Sequence, residues 1–468
     1  MVFSSLVFLC IFLLIVFLGH TILPGIRAKN AMLLLASLVF YAYGEPVYVV
    51  LMIASALCNY LFALWIERFQ DQKKWIVSVA VILNLALLVI FKYAGFLTES
   101  VNTMFGTGFP VPDIRLPIGI SFFTFQAMSY VIDVYRGANK AQKNFGKVLL
   151  YISFFPQLIA GPIVKYHDVE QEIEHRTQSA DGVARGIRRF IAGLSKKVLI
   201  SNVMGMTADA LFGAAAGTLG AATAWVGALS YLFQIYFDFS GYSDMAIGLG
   251  WMFGFHFKEN FNYPYSSTSI REFWRRWHIS LSSWFLEYLY IPLGGNRKGK
   301  VRTCINKFIV FLCTGIWHGA NVTFLFWGIY HGCFLMLEEF VPFFRKEGGK
   351  IKTAVMRIYT LLVVCIGFVF FRADTMTQGV QWVKAMFTGF STGAASTSLA
   401  LQQLTPLYLV TFIVACIASF PVFEKWKSNG RYQAFYNNMA FVCSIVGLVL
   451  CMLSLAGGTY NPFIYFRF

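Results

Sequence analysis

Long apolar runs separated by short polar stretches recur along the whole chain. A helix needs roughly 20 apolar residues to cross the hydrocarbon core of a bilayer, so these runs predict membrane-spanning or re-entrant helices. The pattern therefore predicts an all-α polytopic membrane protein with about 11–13 such helices. The predicted segments are Val2–Leu23, Ala31–Ile66 (two helices around Gly44-Glu45-Pro46), Trp75–Leu97, Leu116–Val134, Lys147–Val164, Ile187–Met204, Ala221–Phe253, Asn306–Cys313, Thr323–Phe340, Val355–Phe371, Pro406–Phe423 and Met439–Leu455.

The composition agrees with this pattern. The chain is 57% hydrophobic and 13% charged, whereas soluble domains carry about a quarter charged residues. The first run lacks a basic n-region and a small-residue cleavage site, so we interpret it as a retained helix rather than a signal peptide. No repeat or long polar linker divides the sequence, which predicts one membrane domain over residues 1–468. The nine cysteines are scattered singly, and neither a disulfide framework nor a metal site is indicated.

The positions of Lys and Arg predict the orientation, because cytoplasmic loops are enriched in these residues. No charge precedes the first run, whereas Arg27 and Lys29 follow it. The N-terminus is therefore predicted to lie on the extracytoplasmic side of the membrane. The net charge of +16 is then mainly a topology signal together with attraction to anionic lipid headgroups. Without a soluble basic domain, nucleic-acid binding is not indicated.

The segment Ser269–Lys300 combines aromatic and basic residues. On one continuous helix, an aromatic face would adjoin a polar stripe. The aromatic face would hold Trp274, Trp277, Leu281, Trp284 and Tyr288, and the stripe Arg271, Arg275, His278 and Ser282. A helix at the membrane interface explains the tryptophans alone. The histidine indicates a functional role as well. Cationic neighbours disfavour its protonated form, and a neutral imidazole can act as a general base. The arginines would bind phosphate or carboxylate.

Two histidines lie in the apolar segment FLCTGIWHGANVTFLFWGIYHG. His318 is either a core residue bonded to a backbone carbonyl or a functional group, the default expectation for an intramembrane ionisable residue. Gly315 and Gly319 flank it and permit close approach of a ligand or another helix, and Asn321 could hold the ring. His331 would face away from His318 on a continuous helix, by about 220°, which favours a structural role.

Several enzyme classes lack their motifs in this sequence. There is no H-E-x-x-H, no G-x-S-x-G, no Walker A and no dinucleotide fingerprint. The intramembrane carboxylates expected of many ion-coupled transporters are also few, and most lie close to span ends. Asp238, in QIYFDFSGYSDMA, is the exception. It would either line a cavity or satisfy a helix break.

Eight blocks, in order, carry a resemblance to a known family. They are FFPQLIAGPIVKYHDV (Phe154–Val169), YFDFSGYSDMAIGLG (Tyr236–Gly250), ENFNYPY (Glu259–Tyr265), EFWRRWHISLSSWF (Glu272–Phe285), LYIPLGGNRKG (Leu289–Gly299), GIWHGA (Gly315–Ala320), FWGIYHG (Phe326–Gly332) and FVFFRA (Phe368–Ala373). Together they resemble the membrane-bound O-acyltransferase family over residues 154–373, and within it the bacterial branch that O-acetylates exported polysaccharides such as alginate. Leu286-Glu287 and Trp251 depart from the family pattern. These departures concern which substrate the protein uses and leave the catalytic assignment unchanged.

The resemblance implies roles for both histidines. His318 would be the central catalytic residue, acting as general base or transiently taking the acyl group, and His278 would position the donor or stabilise the oxyanion. The family fold implies helices around a central funnel or tunnel. The further candidates for substrate binding are Arg271, Arg275, Ser282, Asn321, Asp238, Arg297 and Lys298.

The expected donor is a cytoplasmic acyl thioester, acetyl-CoA, used as a substrate with no bound cofactor. Its phosphates would meet Arg297, Lys298, Lys300 and Arg302. The resemblance implies an exported or membrane-anchored SGNH-type acetyltransferase as the partner that esterifies the glycan. Acyl transfer to peptidoglycan, D-alanyl transfer to teichoic acid, and a transporter with a histidine proton relay stay open as alternatives.

Overall fold

The computed structural model describes residues 1–214, 216–344, 348–391, 394–422, 430–458 and 460–464. Within these ranges the chain is helical and contains no β-strand, which confirms the predicted all-α class. The chain forms two compact units, residues 1–190 with 243–259 and residues 191–242 with 260–468. The single membrane domain stays a prediction, and the end of the predicted segment Pro406–Phe423 lies outside the described residues.

The first unit contains the predicted N-terminal helices. They are α1 (Leu13–Ile22), α2 (Gly25–Ala42), α3 (Tyr48–Arg68), α4 (Lys73–Leu88), α5 (Ala94–Phe105), α6 (Ile120–Arg136), α7 (Phe145–Ser153), α8 (Phe155–Leu158), α9 (Tyr166–Glu174) and α10 (Ala180–Ser195), the last as far as Phe190. The predicted break at Gly44-Glu45-Pro46 does separate α2 from α3. The predicted segment Lys147–Val164 is divided between α7 and α8, where Pro156 has no backbone N–H to continue the first helix.

A reciprocal amide pair joins two helices of this unit. Asn59 Nδ2 donates to Asn84 Oδ1 over 3.2 Å, and Asn84 Nδ2 donates to Asn59 Oδ1 over 2.8 Å. Because lipid cannot hydrogen-bond buried amides, such pairs hold α3 against α4 while satisfying their own polar groups.

The second unit contains the remaining helices and both family histidines. They are α11 (Asn202–Phe212), α12 (Ala221–Phe253, as far as Tyr242), α13 (Ile270–Arg276), α14 (Ile279–Phe285), α15 (Gly299–His318), α16 (Val322–Phe340), α17 (Lys350–Arg372), α18 (Met376–Thr388), α19 (Ala394–Gln403), α20 (Pro406–Ala418) and α21 (Gly430–Ala456). The helices α15 and α16 pack closely at Gly315 and Gly328. A Cβ on Gly315 would lie 2.5 Å from the carbonyl oxygen of Phe324, so only glycine permits this approach.

The predicted continuous helix over Ser269–Lys300 is wrong. It ends at Trp277 and restarts after His278, whose φ of 46° places it in the left-handed region. The break forms because its backbone groups pair with a neighbouring segment: Asn262 N donates to Arg276 O, and Ile279 N donates to Asn260 O, each over 2.9 Å. The predicted arcs of aromatic and polar residues therefore do not exist as one helical surface.

Four helices in the described part of the chain are long and apolar enough to cross a membrane: Tyr48–Arg68, Gln70–Phe105, Lys350–Arg372 and Gln433–Ala456. The pair Ala394–Gln403 and Pro406–Ala418, bent by 75°, would add a fifth. A multi-pass membrane protein is thus confirmed. The larger number of crossings, the central funnel and the orientation of the N-terminus stay predictions.

Candidate active site at His318

His318 is the last residue of α15, and the turn that follows it has a local cause. Gly319 is extended, with φ −169° and ψ 157°. Asn321 then caps α16, since its Oδ1 accepts from Thr323 N over 3.1 Å, while its Nδ2 donates to the carbonyl oxygen of Asp374 over 2.9 Å. Asn321 therefore shapes the turn after the histidine, and both its amide atoms are engaged there rather than on the imidazole.

The imidazole of His318 borders a small, mostly aromatic cavity. The cavity has a volume of about 10 Å³, close to the room that one water molecule needs, and is lined by Ile235, Phe239, Trp277, His318, Trp327, Phe368, Phe371 and Ile464. The rings of Trp327 and Phe371 meet the imidazole edge to face, at centroid distances of 5.2 and 5.1 Å. His318 remains 8% exposed. Apolar walls limit screening by water, so charge that develops at this imidazole interacts strongly with its neighbours.

His278 approaches the same cavity from the break between α13 and α14. Its neighbour Trp277 lines the cavity, and its ring lies 4.5 Å from Phe239, another lining residue. The left-handed backbone of His278 is the kind of local strain that clusters at functional sites. Of the two histidines predicted from the sequence, His318 lines the cavity, whereas His278 does not line it and packs against its lining residue Phe239.

The hydrogen bonds around His278 favour one tautomer. Asn260 Oδ1 lies 3.2 Å from His278 Nδ1 and accepts from Ser280 N over 3.1 Å and from Ser280 Oγ over 2.9 Å. With the Ser280 hydroxyl directed at that oxygen, the contact with Asn260 favours a proton on Nδ1, which leaves Nε2 as an acceptor. Nε2 is buried and has no hydrogen-bond partner among the described residues. Burial lowers the pKa of His278 to about 3, so desolvation, rather than the predicted cationic neighbours, keeps the ring neutral.

Other predicted binding residues lie in different surroundings. Arg271 forms an ion pair with Glu339, which also binds Lys307 over 3.0 Å. Arg275 is exposed, and Ser282 Oγ donates to the carbonyl oxygen of Trp274 over 3.2 Å. These three side chains do not line the His318 cavity. Their predicted roles assumed the continuous helix that the structure does not have.

Asp238 is buried in an ion pair behind the cavity wall. Its Oδ1 lies 2.8 Å from Lys197 Nζ, and its Oδ2 accepts from the backbone N–H of Ile464 over 2.7 Å. Lys197 also binds the carbonyl oxygen of Pro462. Asp238 thereby holds the segment that brings Ile464 to the cavity, and sequence patterns had given no indication of either Lys197 or Ile464.

The basic residues predicted to meet the donor precede α15. Arg297 and Lys298 are exposed there, as are Lys300 and Arg302 in its first turn. They occupy the opposite end of α15 from His318. Their position is compatible with an electropositive entrance, whose binding role stays a prediction.

The argument that His331 faces away from His318 is wrong in its premise. The helix is interrupted between the two residues, and both rings contact Trp327, at 5.2 Å for His318 and 5.0 Å for His331. His331 is fully buried against Gly367, and it does not line the cavity. Gly315 and Gly319 likewise serve packing, on α16 and on the ring of Phe324, rather than a ligand.

The chain is similar to known proteins over most or all of its length. The model of the membrane-bound O-acyltransferase family matches residues 122–373. A probable alginate O-acetylase of Pseudomonas putida is 40% identical over 493 residues, covering 100% of both chains. Another, of Pseudomonas aeruginosa, is 44% identical over 423 residues, covering 89% of this chain and 80% of that protein. A peptidoglycan O-acetyltransferase of Helicobacter pylori is 36% identical over 422 residues, with coverage of 82% and 80%. The family match includes His278 and His318.

Proposed function

The chain belongs to the membrane-bound O-acyltransferase family, and from that premise we propose that it carries out O-acetylation of an exported polysaccharide. The acetyl group comes from a cytoplasmic thioester and crosses the bacterial inner membrane to reach its acceptor. The names of the relatives from Pseudomonas favour alginate or a similar glycan. The relative named for peptidoglycan keeps that polymer as the second candidate.

The observation that carries this proposal is the cavity at His318. An acyltransferase needs a base beside a thioester carbonyl, in a place that limits hydrolysis. His318 accepts the proton of the attacking hydroxyl as the new C–O bond forms. The C–S bond breaks, and the proton passes to the departing thiolate. In a two-step variant, the imidazole itself takes the acetyl group before passing it on.

The tautomer of His278 narrows its proposed role. With Nδ1–H directed at Asn260, the free Nε2 can accept a hydrogen bond but cannot donate one. A developing oxyanion needs donors, so this ring is poorly suited to stabilise one. We propose instead that Nε2 of His278 accepts a hydrogen bond from the hydroxyl or thiol and so orients that group toward His318.

Acetyl-CoA is the proposed donor, because four exposed cations at the start of α15 suit its phosphates. The proposed acceptor on the outer side is an SGNH-type partner, which then esterifies the glycan. The proposal of this partner rests on the family resemblance and on the absence of a G-x-S-x-G serine-nucleophile motif from the sequence.

Reconstitution tests the proposal. The purified chain is placed in proteoliposomes with acetyl-labelled acetyl-CoA on the face that carries Arg297, and with the partner and polysaccharide on the other face. We expect label in base-labile esters on the glycan, and none when the donor is supplied from the glycan side. A transporter would instead move a solute without any thioester. Flux without ester formation in these vesicles would contradict acyl transfer.

A further inference from the structure

The cavity at His318 limits both the size and the polarity of what it can hold. Its volume of about 10 Å³ suits one water molecule, or a methyl group, which is only slightly larger. Apart from the imidazole, its described lining consists of two isoleucines and five aromatic side chains. A polar occupant would find few hydrogen-bond partners there, whereas a methyl group gains by leaving water. The cavity is therefore suited to a small apolar group held against the imidazole.

The aromatic part of the wall is held in place by contacts among its own members. Trp327 and Phe371 contact each other at a centroid distance of 5.2 Å, in addition to their contacts with the imidazole of His318. Trp277 contacts Phe368, also at 5.2 Å. All four side chains are buried. Because closely packed side chains resist added volume, these residues cannot make room for a larger group without a cost in packing.

Ile235 and Ile464 form the aliphatic part of the wall. Ile235 lies on α12 and Ile464 on the last described segment, and each is 5% exposed. The backbone of Ile464 is held by Asp238, whose Oδ2 accepts from its N–H over 2.7 Å. Isoleucine branches at Cβ, so its side chain has few alternative rotamers. The two isoleucines therefore set the boundary of the cavity on the side that the aromatic rings leave open.

A charged acyl group is disfavoured for a separate reason. The described residues that line the cavity include no carboxylate. Asp238 lies behind the wall and is paired with Lys197 over 2.8 Å. The ammonium of an aminoacyl group, such as D-alanyl, would lose its hydration without gaining a counter-charge. The lining thus favours a plain acyl group over an aminoacyl group.

We propose that this cavity holds the methyl end of the transferred acyl group, and that Ile235 and Ile464 restrict that group to acetyl. The inference rests on the proposed function and goes beyond it, because it assigns the choice of acyl group to two residues of this chain. With the methyl group in the cavity, the carbonyl carbon lies beside the imidazole of His318. The acceptor oxygen bonds to that carbon, the C–S bond breaks, and the imidazole passes the hydroxyl proton to the departing thiolate.

The test compares acyl donors of increasing length. Acetyl-, propionyl- and butyryl-CoA are supplied to the full chain in proteoliposomes with the partner and polysaccharide, and the acids released by alkali are identified by mass spectrometry. We expect kcat/KM of the wild type to be about 10–200-fold lower for propionyl-CoA than for acetyl-CoA, the effect of one methylene in a hydrophobic pocket. Ile235→Ala keeps only the Cβ of that side chain and should use both donors about equally.

Two further variants and one control accompany Ile235→Ala. Ile235→Val removes a single methylene with little risk to folding, and Ile464→Ala enlarges the cavity from its other aliphatic residue; both should narrow the preference for acetyl-CoA. Ile200→Ala is the matched control. Ile200 is buried in the same unit, at 8% exposed, and does not line the cavity, so this variant should keep the wild-type preference.

Alkylation provides a readout that needs neither partner nor polysaccharide. A bromine atom is about as large as a methyl group, so bromoacetyl-CoA is about as long as propionyl-CoA. We therefore expect bromoacetyl-CoA to alkylate His318 slowly in the wild type and faster in Ile235→Ala, as measured by peptide mass spectrometry.

Two results would overturn the inference. One is equal kcat/KM of the wild type for acetyl- and propionyl-CoA, which would leave the proposed function standing because acyl transfer occurs. The other is an unchanged preference for acetyl-CoA in both Ile235→Val and Ile464→Ala at wild-type abundance. Transfer from none of the three donors by the wild type would refute the proposed function, and this inference with it.

Discussion

His318→Ala is expected to lower kcat for acetyl transfer by about 10²–10⁴-fold, the range lost when a general base is removed. Abundance in the membrane should stay near normal, because the smaller side chain only enlarges an existing cavity. It is measured in parallel, since Trp327 and Phe371 lose their contacts with the imidazole. Acetyl esters on the exported polysaccharide, measured after mild alkaline release, should fall to the level of cells that lack the protein.

The other histidines provide graded controls. His278→Ala should impair transfer strongly, because its ring packs against Phe239 of the cavity lining and its Nε2 is an unpartnered acceptor, and His331→Ala should impair it only mildly. Full acetylation by His318→Ala at normal abundance would refute the catalytic assignment. A larger loss in His331→Ala than in His318→Ala would show that the catalytic centre lies on the other side of Trp327.

Breaking the Lys197–Asp238 pair should cause the largest loss of stability. The two side chains are 4% and 1% exposed, and removing one partner of such a buried pair typically costs about 3–5 kcal/mol because the other charge is left uncompensated. Asp238→Ala also removes the acceptor for Ile464 N–H. We expect a clearly lower midpoint of thermal unfolding in detergent for Asp238→Ala and for Lys197→Ala.

A double variant and a surface pair complete this experiment. Lys197→Met with Asp238→Leu should recover part of the loss, since no buried charge remains. Asp181→Asn breaks the exposed pair with Arg185 and should shift the midpoint little. Equal shifts for Asp238→Ala and Asp181→Asn would show that the buried pair does not anchor the segment carrying Ile464.

Sequence patterns predicted the helices better than their connections. Apolar length alone placed α2, α3, α16 and α17, because a continuous run of such residues has few alternatives to a helix in lipid. The break at His278 could not be found in this way. It depends on hydrogen bonds with the backbone of Asn260 and Asn262, residues outside the periodic segment. A periodicity argument includes only contacts along one helix.

In the candidate site, too, some features could be predicted from the sequence and others could not. The two histidines could be picked out because an imidazole in apolar surroundings is costly, and the family motifs agreed with that expectation. Lys197 and Ile464 could not, since they are joined to the site by Asp238 across distances in sequence that no local pattern covers. The ion pair of Arg271 could not be predicted for a related reason: its partner, Glu339, lies on α16.

The central claim is that an acyl thioester reaches the imidazole of His318, and alkylation by bromoacetyl-CoA tests it most directly. This donor analogue places an electrophilic carbon next to the thioester carbonyl. A nearby imidazole nitrogen displaces bromide from that carbon, so the rest of the analogue stays covalently bound to the histidine. Peptide mass spectrometry should find the adduct on His318, and excess acetyl-CoA should suppress it. Inactivation with His318 unmodified, or labelling that acetyl-CoA does not reduce, would contradict the account.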